Sequence, residues 1–388
     1  MTEFCSAISE TEYLDFLHTF PHYHVLQTPM WAQVKDSWEN SVCGMYRNGT
    51  LVAAALLLFR RLPLGQTLIY SPRGFTLDYT DEPLLREFTQ EIVRFARTRK
   101  AYLVRIDPEI LLSERQNDRT VTFPEGSAAI RRLEAVGFRH MGYEKDFGSY
   151  TQPRFHSEFP LRDSAGQPRS DADILAGFDA RMRRQIGRYN QTRGVYFTQN
   201  FSPEAIEIFG DIECQTAKRH QIHLRDTDYF RKIKQAFGND CSCFFANLDL
   251  TRFEDFIQQQ LQIQEQKEPF LRDLEKIRQL KSQGSTILPL AGILTVKSND
   301  TAYVLYGGFD DRLFPRLSVN YQLRYEAIRA YRDAGLSTVS FMGIHGDLND
   351  PLASFKLKFH PKIREYAGEF EYPVRPFLYR IFQKLFPL

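Results

Sequence analysis

Residues 251–284, TRFEDFIQQQLQIQEQKEPFLRDLEKIRQLKSQG, divide the chain. The stretch is dense in Gln, Glu, Lys, Arg and Leu and holds one proline, Pro269, near its centre. Phe253, Ile257 and Leu261 recur every four residues before that proline, and Leu271, Leu274, Ile277 and Leu280 every three after it. Those are helical spacings. Two helices of roughly 16 residues, about 24 Å each, are expected. One narrow apolar stripe on each suits an antiparallel pair, and Gly284 supplies a stop. A surface pair without a function of its own is the alternative.

Outward from this hairpin the pattern changes on both sides. Upstream, the residue pattern predicts a helix at 173–191, a strand near 194–199, helices at 203–219 and 227–236, and a strand at 241–249. Downstream come strands at 287–296 and 301–308, a helix at 320–334 and a strand at 337–342. One α/β domain is thus interrupted by 251–284 and then resumes. Nearer the start, LVAAALLLF at 51–59 and AYLVRI at 101–106 are short apolar runs, and Leu84, Leu85, Phe88, Ile92 and Phe95 give 82–99 a helical face. After Gly137 the composition turns polar, and Pro153, Pro160 and Pro168 mark 150–172 as a linker. The expected fold class is therefore α/β (α+β), with a first domain at 1–150 and a second at 151–360 that repeats it in outline.

The bulk properties agree with two or three domains: 388 residues, 43% hydrophobic and 14% aromatic. A net charge of +2 gives no global pull toward nucleic acid or anionic lipid, so any such partner must meet a local patch. No run approaches the roughly 18 apolar residues of a membrane span, and no secretory signal pattern opens the chain, so a cytoplasmic location is expected. Cys5, Cys43, Cys214, Cys241 and Cys243 are odd in number and include no CxxC pair, which speaks against a disulfide framework. Cys241 and Cys243 alternate along a predicted strand and read as small buried hydrophobes. No metal site and no cofactor are expected.

Several residues could carry chemistry. DARMRRQIGRYNQTR at 179–193 holds five arginines and one acid, and Arg181, Arg184 and Arg188 lie at i, i+3 and i+7. A solvated helix normally interleaves Glu, so this face reads as polyanion-binding, the guanidinium fork being suited to phosphate. Arg225 and Tyr229 are four apart in HLRDTDYF, and Trp31 and Lys35 are four apart in QTPMWAQVKDSW. On a helix such spacing sets a cation beside a ring. Asp107, after the strand in YLVRIDPEI, reads either as a general base at a strand's carboxyl end or as the N-cap of a following helix. No nucleophile elbow, Walker loop, dinucleotide fingerprint or HExxH appears. RRQIGRY fails the acetyl-coenzyme-A loop pattern because Tyr189 stands where a small residue belongs.

Taken in order, LQTPMWAQVKDSW, RRLPLGQTLIYSPRGFTLDYTD, VRIDPEI, RMRRQIGRYNQTRGV, QIHLRDTDYF, the helical hairpin, LPLAGIL, YVLYGG and ASFKLKFHPKIREYAGEF resemble the Fem family over nearly the whole chain. LPLG, PRG, LDY and HLR are most similar to the streptococcal enzymes that build short serine and alanine branches. The resemblance implies two acetyltransferase (GNAT)-like domains in tandem, with a coiled-coil arm inserted in the second. It also implies a reaction: the aminoacyl ester of a charged tRNA is attacked by the lysine ε-amine of a peptidoglycan stem. The acceptor that the resemblance implies is lipid II or UDP-MurNAc-pentapeptide, with lipid II favoured. By motif match, Lys35 and Arg225 would hold the precursor's diphosphate and Tyr229 would be a substrate-site phenol. Asp107 would sit near the reacting amine, and Phe355 with Lys356 near the aminoacyl end of the tRNA. Tyr306 matches the tyrosine of the YxGG segment, although Val304 stands where some relatives have another.

An aminoacyl ester is already activated, so the reaction needs alignment and a neutral amine rather than ATP or a covalent intermediate. A free lysine amine, with a pKa of about 10.4, is neutral in only about one molecule in 10³ at pH 7. Asp107 is the candidate base, with the ribose hydroxyl of the tRNA as the alternative shuttle. Two rival readings are an acyl-coenzyme-A N-acyltransferase and a non-catalytic RNA-binding module. At the other end, Phe377, Leu378, Ile381, Phe382, Leu385 and Phe386 form an apolar stripe, with Arg380 and Lys384 opposite. It suits either packing of 361–388 on the first domain or peripheral contact with the inner membrane leaflet.

Overall fold

A computed structural model describes residues 2–20, 22–146, 148, 151–186, 193–220, 225–310 and 312–385. Residues Met1–Glu158, Gly343–Lys356 and Pro361–Leu388 cluster as one unit, and Phe159–Met342 with Leu357–His360 as a second. Residues 343–356 therefore cluster with the first unit, where the sequence reading places them in the second domain.

The first unit opens with β1 (Thr2–Cys5), α1 (Glu10–His18), α2 (Pro29–Val34), β2 (Glu39–Arg47), β3 (Thr50–Arg61) and β4 (Thr67–Ser71). It continues with α3 (Glu82–Thr98), β5 (Ala101–Ile106), β6 (Leu111–Gln116), β7 (Arg119–Thr122), α4 (Pro124–Ala135), β8 (Arg139–His140) and β9 (Phe155–Pro160). Strand β3 explains the unbroken apolar run. Ala53, Ala55, Leu57 and Phe59 enter the core under α3, while Ala54, Leu56 and Leu58 enter the core on the other sheet face with Tyr13, Phe16 and Leu17 of α1. A strand covered on both faces shows no polar alternation. Strands β1 to β4 pair antiparallel in sequence, but β4 and β5 are parallel, and α3 forms the crossover that this requires. Strand β9 occupies the stretch expected as a linker, and Phe155 and Phe159 are buried there.

The second unit holds α5 (Asp171–Ala176), α6 (Ala180–Gln185), β10 (Val195–Asn200), α7 (Glu204–His220), α8 (Thr227–Phe237) and β11 (Cys241–Asp249). It ends with α9 (Leu250–Ile263), α10 (Glu268–Ser282), β12 (Ile287–Ser298), β13 (Thr301–Phe309), α11 (Asn320–Asp333) and β14 (Thr338–Ile344). Its grammar repeats the first: two helices after the first strand, an antiparallel run, then a parallel pair, β13 with β14, bridged by α11. The two units part company at one connection. Strands β2 and β3 are joined by Asn48–Gly49, both at positive φ (53° and 79°), the dipeptide a two-residue hairpin favours. At the matching place between β11 and β12 stands the helical hairpin α9–α10. Lys281 near the end of α10 pairs with Glu254 near the start of α9 at 2.8 Å, so the helices run antiparallel. Phe253, Ile257, Leu274 and Ile277 are buried, whereas Leu271 remains half exposed.

The helix expected at 173–191 is two helices. Gly177 ends α5, and the Asp179 carboxylate caps Arg181 and Met182 to start α6. Between them Phe178 is buried edge-on against Phe159, Tyr325 and Phe359, which packing rewards more than helix continuity would. Cys241 and Cys243 are buried on β11 as free thiols.

The chain returns to the first unit through α12 (Pro351–Leu357), β15 (Lys362–Tyr366), β16 (Phe370–Tyr372) and α13 (Pro376–Leu385). Strand β16 lies between β5 and β8, and β15 lies between β9 and β6. Helix α13 docks through Tyr379 and Phe382, the latter stacked on Tyr102 at 4.7 Å. Phe377 is 76% exposed. Among the described residues no helix is long and apolar enough to cross a membrane.

Candidate functional site

Asp107 directly follows β5, beside the end of the parallel strand β4, where Ser71 pairs with Ile106. No helix begins after it, since β6 starts at Leu111, so the N-cap reading falls. Its carboxylate is 2% exposed and accepts two hydrogen bonds, from Tyr70 Oη at 2.9 Å and from the Arg73 backbone N–H at 2.6 Å. The backbone donor is aimed by the turn at Pro72–Gly74, where Arg73 and Gly74 take φ of 57° and 79°. A Cβ on Gly74 would lie 2.6 Å from Pro108, so only glycine lets this turn approach the segment after Asp107. Burial pushes the carboxyl up to about 7, against the pull of the Arg73 guanidinium and of both hydrogen bonds.

Arg73 is itself buried. Burial opposes its charge, but the carboxylates of Asp107 and Glu109 outweigh that and hold its pKa above the ordinary value. Its Nη2 lies 2.5 Å from His156 Nε2, and its guanidinium 5.5 Å from the Tyr366 ring centroid. A guanidinium can only donate, which assigns Nε2 of His156 as acceptor and Nδ1 as the protonated nitrogen. Burial and then the Arg73 charge hold His156 well below its usual pKa, with smaller contributions from His24 and Lys356, so the ring is neutral. Tyr70, Arg73, His156 and Tyr366 thus form a fixed polar wall around one carboxylate.

Of the expected residues, Lys356 joins this neighbourhood. Gln27 donates to the Arg73 carbonyl at 3.2 Å and to Thr76 Oγ1 at 3.1 Å, tying the turn before α2 to the Asp107 network. Helix α2 follows immediately and ends at Lys35, whose Nζ lies 5.2 Å from the Trp31 ring. Lys356 of α12 donates to the Gly343 carbonyl at 2.7 Å and contributes to the field at His156. Phe355 beside it is partly buried.

The second unit gathers Arg225, Tyr229 and Tyr306. Arg225 precedes α8 rather than lying on it, because Asp226 is the N-cap and its carboxylate holds the Tyr229 N–H at 2.9 Å. The guanidinium still lies 4.9 Å from the Tyr229 centroid. The Tyr229 and Tyr306 rings meet edge-on at 6.1 Å, and Tyr306 also meets Phe230 at 5.1 Å. Burial raises both phenols; the Tyr229 hydroxyl and Arg225 each hydrogen-bond the Tyr306 oxygen, which partly offsets the rise there. Arg181 and Arg184 are exposed on α6, and Arg188 lies outside the described residues.

Tyr70, Arg73 and His156 were not singled out by sequence reasoning. The PRG turn was a visible signal for Arg73; His156 stood in the expected linker and offered none. Glu213 of α7 was also missed. It is 2% exposed, its Oε1 has no hydrogen-bond partner among the described residues, and burial lifts it to about 7.

A sequence model of the FemAB family matches residues 8–276 and 261–386. Lipid II:glycine glycyltransferases of Staphylococcus haemolyticus and Staphylococcus aureus are 24% and 25% identical, each aligned over 98% of this chain and 95% of the relative. A crystal structure of FemX superposes with a TM-score of 0.78 at 25% identity, covering 98% of this chain and 99% of that one. A tandem GNAT protein from the clavulanic acid pathway superposes at 0.52 with 12% identity, a likeness of fold alone.

Proposed function

The chain belongs to the FemAB family, and from that premise we propose that it is an aminoacyltransferase that moves an amino acid from aminoacyl-tRNA to the lysine ε-amine of a lipid-linked peptidoglycan precursor. The observation that carries the reading is the Asp107 carboxyl, buried and lifted to about 7, with one lone pair on each oxygen left beyond its bonds to Tyr70 and Arg73. A carboxyl of that pKa is about half ionised at neutral pH and takes a proton from an ammonium more readily than an ordinary aspartate. Once Asp107 has taken the first proton, the neutral amine attacks the ester carbonyl, the carbonyl carbon–ribose oxygen bond breaks, and the second proton lost by the nitrogen goes to the departing ribose oxygen. Lys35 and Arg225 are proposed to hold the acceptor's diphosphate, Tyr229 and Tyr306 to line the substrate site, and Phe355 and Lys356 to meet the aminoacyl end. Peripheral contact with the inner membrane leaflet would bring the chain to a lipid-linked acceptor.

The donor amino acid is small. The branch motifs favour serine or alanine, while the staphylococcal relatives are named for glycine. The test offers labelled glycyl-, alanyl- and seryl-tRNA and acyl-coenzyme A in parallel, with lysine-containing lipid II as acceptor. Label passing from an aminoacyl-tRNA to the lysine supports the reading and names the amino acid. Label passing only from acyl-coenzyme A, or none from any donor, would overturn it.

A further inference from the structure

The arginine-rich segment 179–193 ends at Arg193, whose guanidinium lies 5.0 Å from the ring centroid of Phe256 on α9. Opposite it, Arg316 lies 5.0 Å from Phe270 on α10. The two pairs line a cavity of about 250 Å³ along one side of the helical hairpin. Phe253 and Phe314 meet edge-on at 5.2 Å in its buried wall, and Phe253 lies parallel to Phe256 within 9°. Gln260 and Asp273 add hydrogen-bonding edges, and the Asp273 carboxylate holds Arg316 at 2.5 Å.

This lining has a specific chemistry. A guanidinium lying on a phenyl ring is held flat, and both surfaces stack well on a planar heterocycle. Drug-sized ligands occupy roughly 300–1,000 Å³, so a cavity this small takes one ring system. Two arginines against one aspartate leave the rim net positive, which favours a ring that carries phosphates on either side. An unstacked nucleotide in a single strand has all three features: a planar base, polar edges and flanking anions.

We propose that this cavity binds one unstacked nucleobase of the RNA donor, with its neighbouring phosphates against Arg193 and Arg316. The proposal rests on the aminoacyl-tRNA reading. It assigns the hairpin inserted between β11 and β12 a task, which is to supply the aromatic half of a base pocket whose cationic half comes from Arg193 and Arg316.

The experiment measures binding of the full chain to uncharged tRNA, to a short single-stranded RNA and to heparin, a polyanion without bases. Phe256→Ala is expected to weaken both RNAs by about 5- to 150-fold, the loss of one base–aromatic stack, and to leave heparin unchanged. Arg193→Ala is expected to lower the slope of log affinity against log salt by about one. Phe256→Trp keeps a ring and adds a reporter, so its emission should be quenched by the single-stranded RNA. Unchanged RNA affinity in either alanine variant, an equal loss for heparin in Phe256→Ala, or no quenching in the tryptophan variant would each overturn the pocket. Transfer assays keep the two readings apart: a wild-type chain that uses aminoacyl-tRNA while Phe256→Ala leaves the donor KM unchanged sinks the pocket alone. Transfer from no aminoacyl-tRNA sinks the function, and the RNA-binding result still decides the pocket.

Discussion

Asp107 is ionised at a cost, because its carboxylate lies in a nearly dry site and only partly recovers the lost hydration from Tyr70 and Arg73. Its folded pKa of about 7 lies above the unfolded value, so the folded chain binds the proton more tightly between about pH 4 and pH 7. Stability from this group is therefore full below about pH 4, falls as pH rises through that window, and stays lost above about pH 7. Asp107→Asn removes the titration while keeping an oxygen for the Arg73 N–H. The wild-type Tm should fall relative to that of the variant between pH 4.5 and 7.5; a constant difference would show that the group titrates normally. The same variant should lower kcat by about 10²- to 10⁴-fold with little change in the tRNA KM, as loss of a proton acceptor requires. Arg225→Ala should instead raise the acceptor KM and leave the tRNA KM nearly unchanged, because it removes a ground-state interaction with one substrate. Equal effects on both KM values would count against its diphosphate role.

At the scale of elements, α6 shows how a short helix can present charge. It has six residues, starts on the Asp179 cap and buries only Met182, so Arg181 and Arg184 face solvent without an interleaved acid. Replacing both with alanine should weaken tRNA binding and reduce its salt slope by about 0.9 for each phosphate no longer neutralised, with no effect on thermal stability. A stable variant with unchanged slope would return α6 to an ordinary solvated face. Helix α13 behaves differently. Tyr379 and Phe382 bury one side of it, and Tyr379 Oη donates to Glu371 at 2.5 Å, while Phe377 of its apolar stripe stays exposed.

For the molecule as a whole, the first unit is discontinuous, and its sheet is completed by the far end of the chain. Strand β16 sits between β5 and β8, and Glu369 and Glu371 hold Arg105 at 3.1 and 2.5 Å, two residues before Asp107. A chain ending at residue 342 would leave β5 as an unpaired edge and two cationic groups of β5 and the PRG turn without part of their surroundings. Such a truncation should lose hydrogen-exchange protection across 101–106 and expose apolar surface to a hydrophobic dye, although residues 2–158 are all present. Full protection of 101–106 in the truncated chain would contradict this dependence.

Local pattern was enough for the elements whose burial follows one period. The run 51–59, the amphipathic 82–99, the strand at 241–249 and the stripes of 251–284 each carry their own signal, because a two-sided strand or a one-sided helix imposes it on neighbouring residues. The position of Asp107 at a strand end was legible for the same reason. What neighbours it was not. Tyr70, Arg73, His156 and Tyr366 come from separate places in the chain, and their hydrogen bonds and shared charge exist only once β4, β5, β9 and β15 are aligned. The break in 173–191 was hidden likewise, since helix propensity is local while the pocket that claims Phe178 is built by Phe159, Tyr325 and Phe359. Local pattern was thus enough for most of the elements, for the inserted hairpin and for the residues able to bear charge, but not for the break at Phe178 or for strand β9. Tertiary structure decided which of those charges are buried together, because desolvation depends on what surrounds a group and not on the residues beside it in the chain.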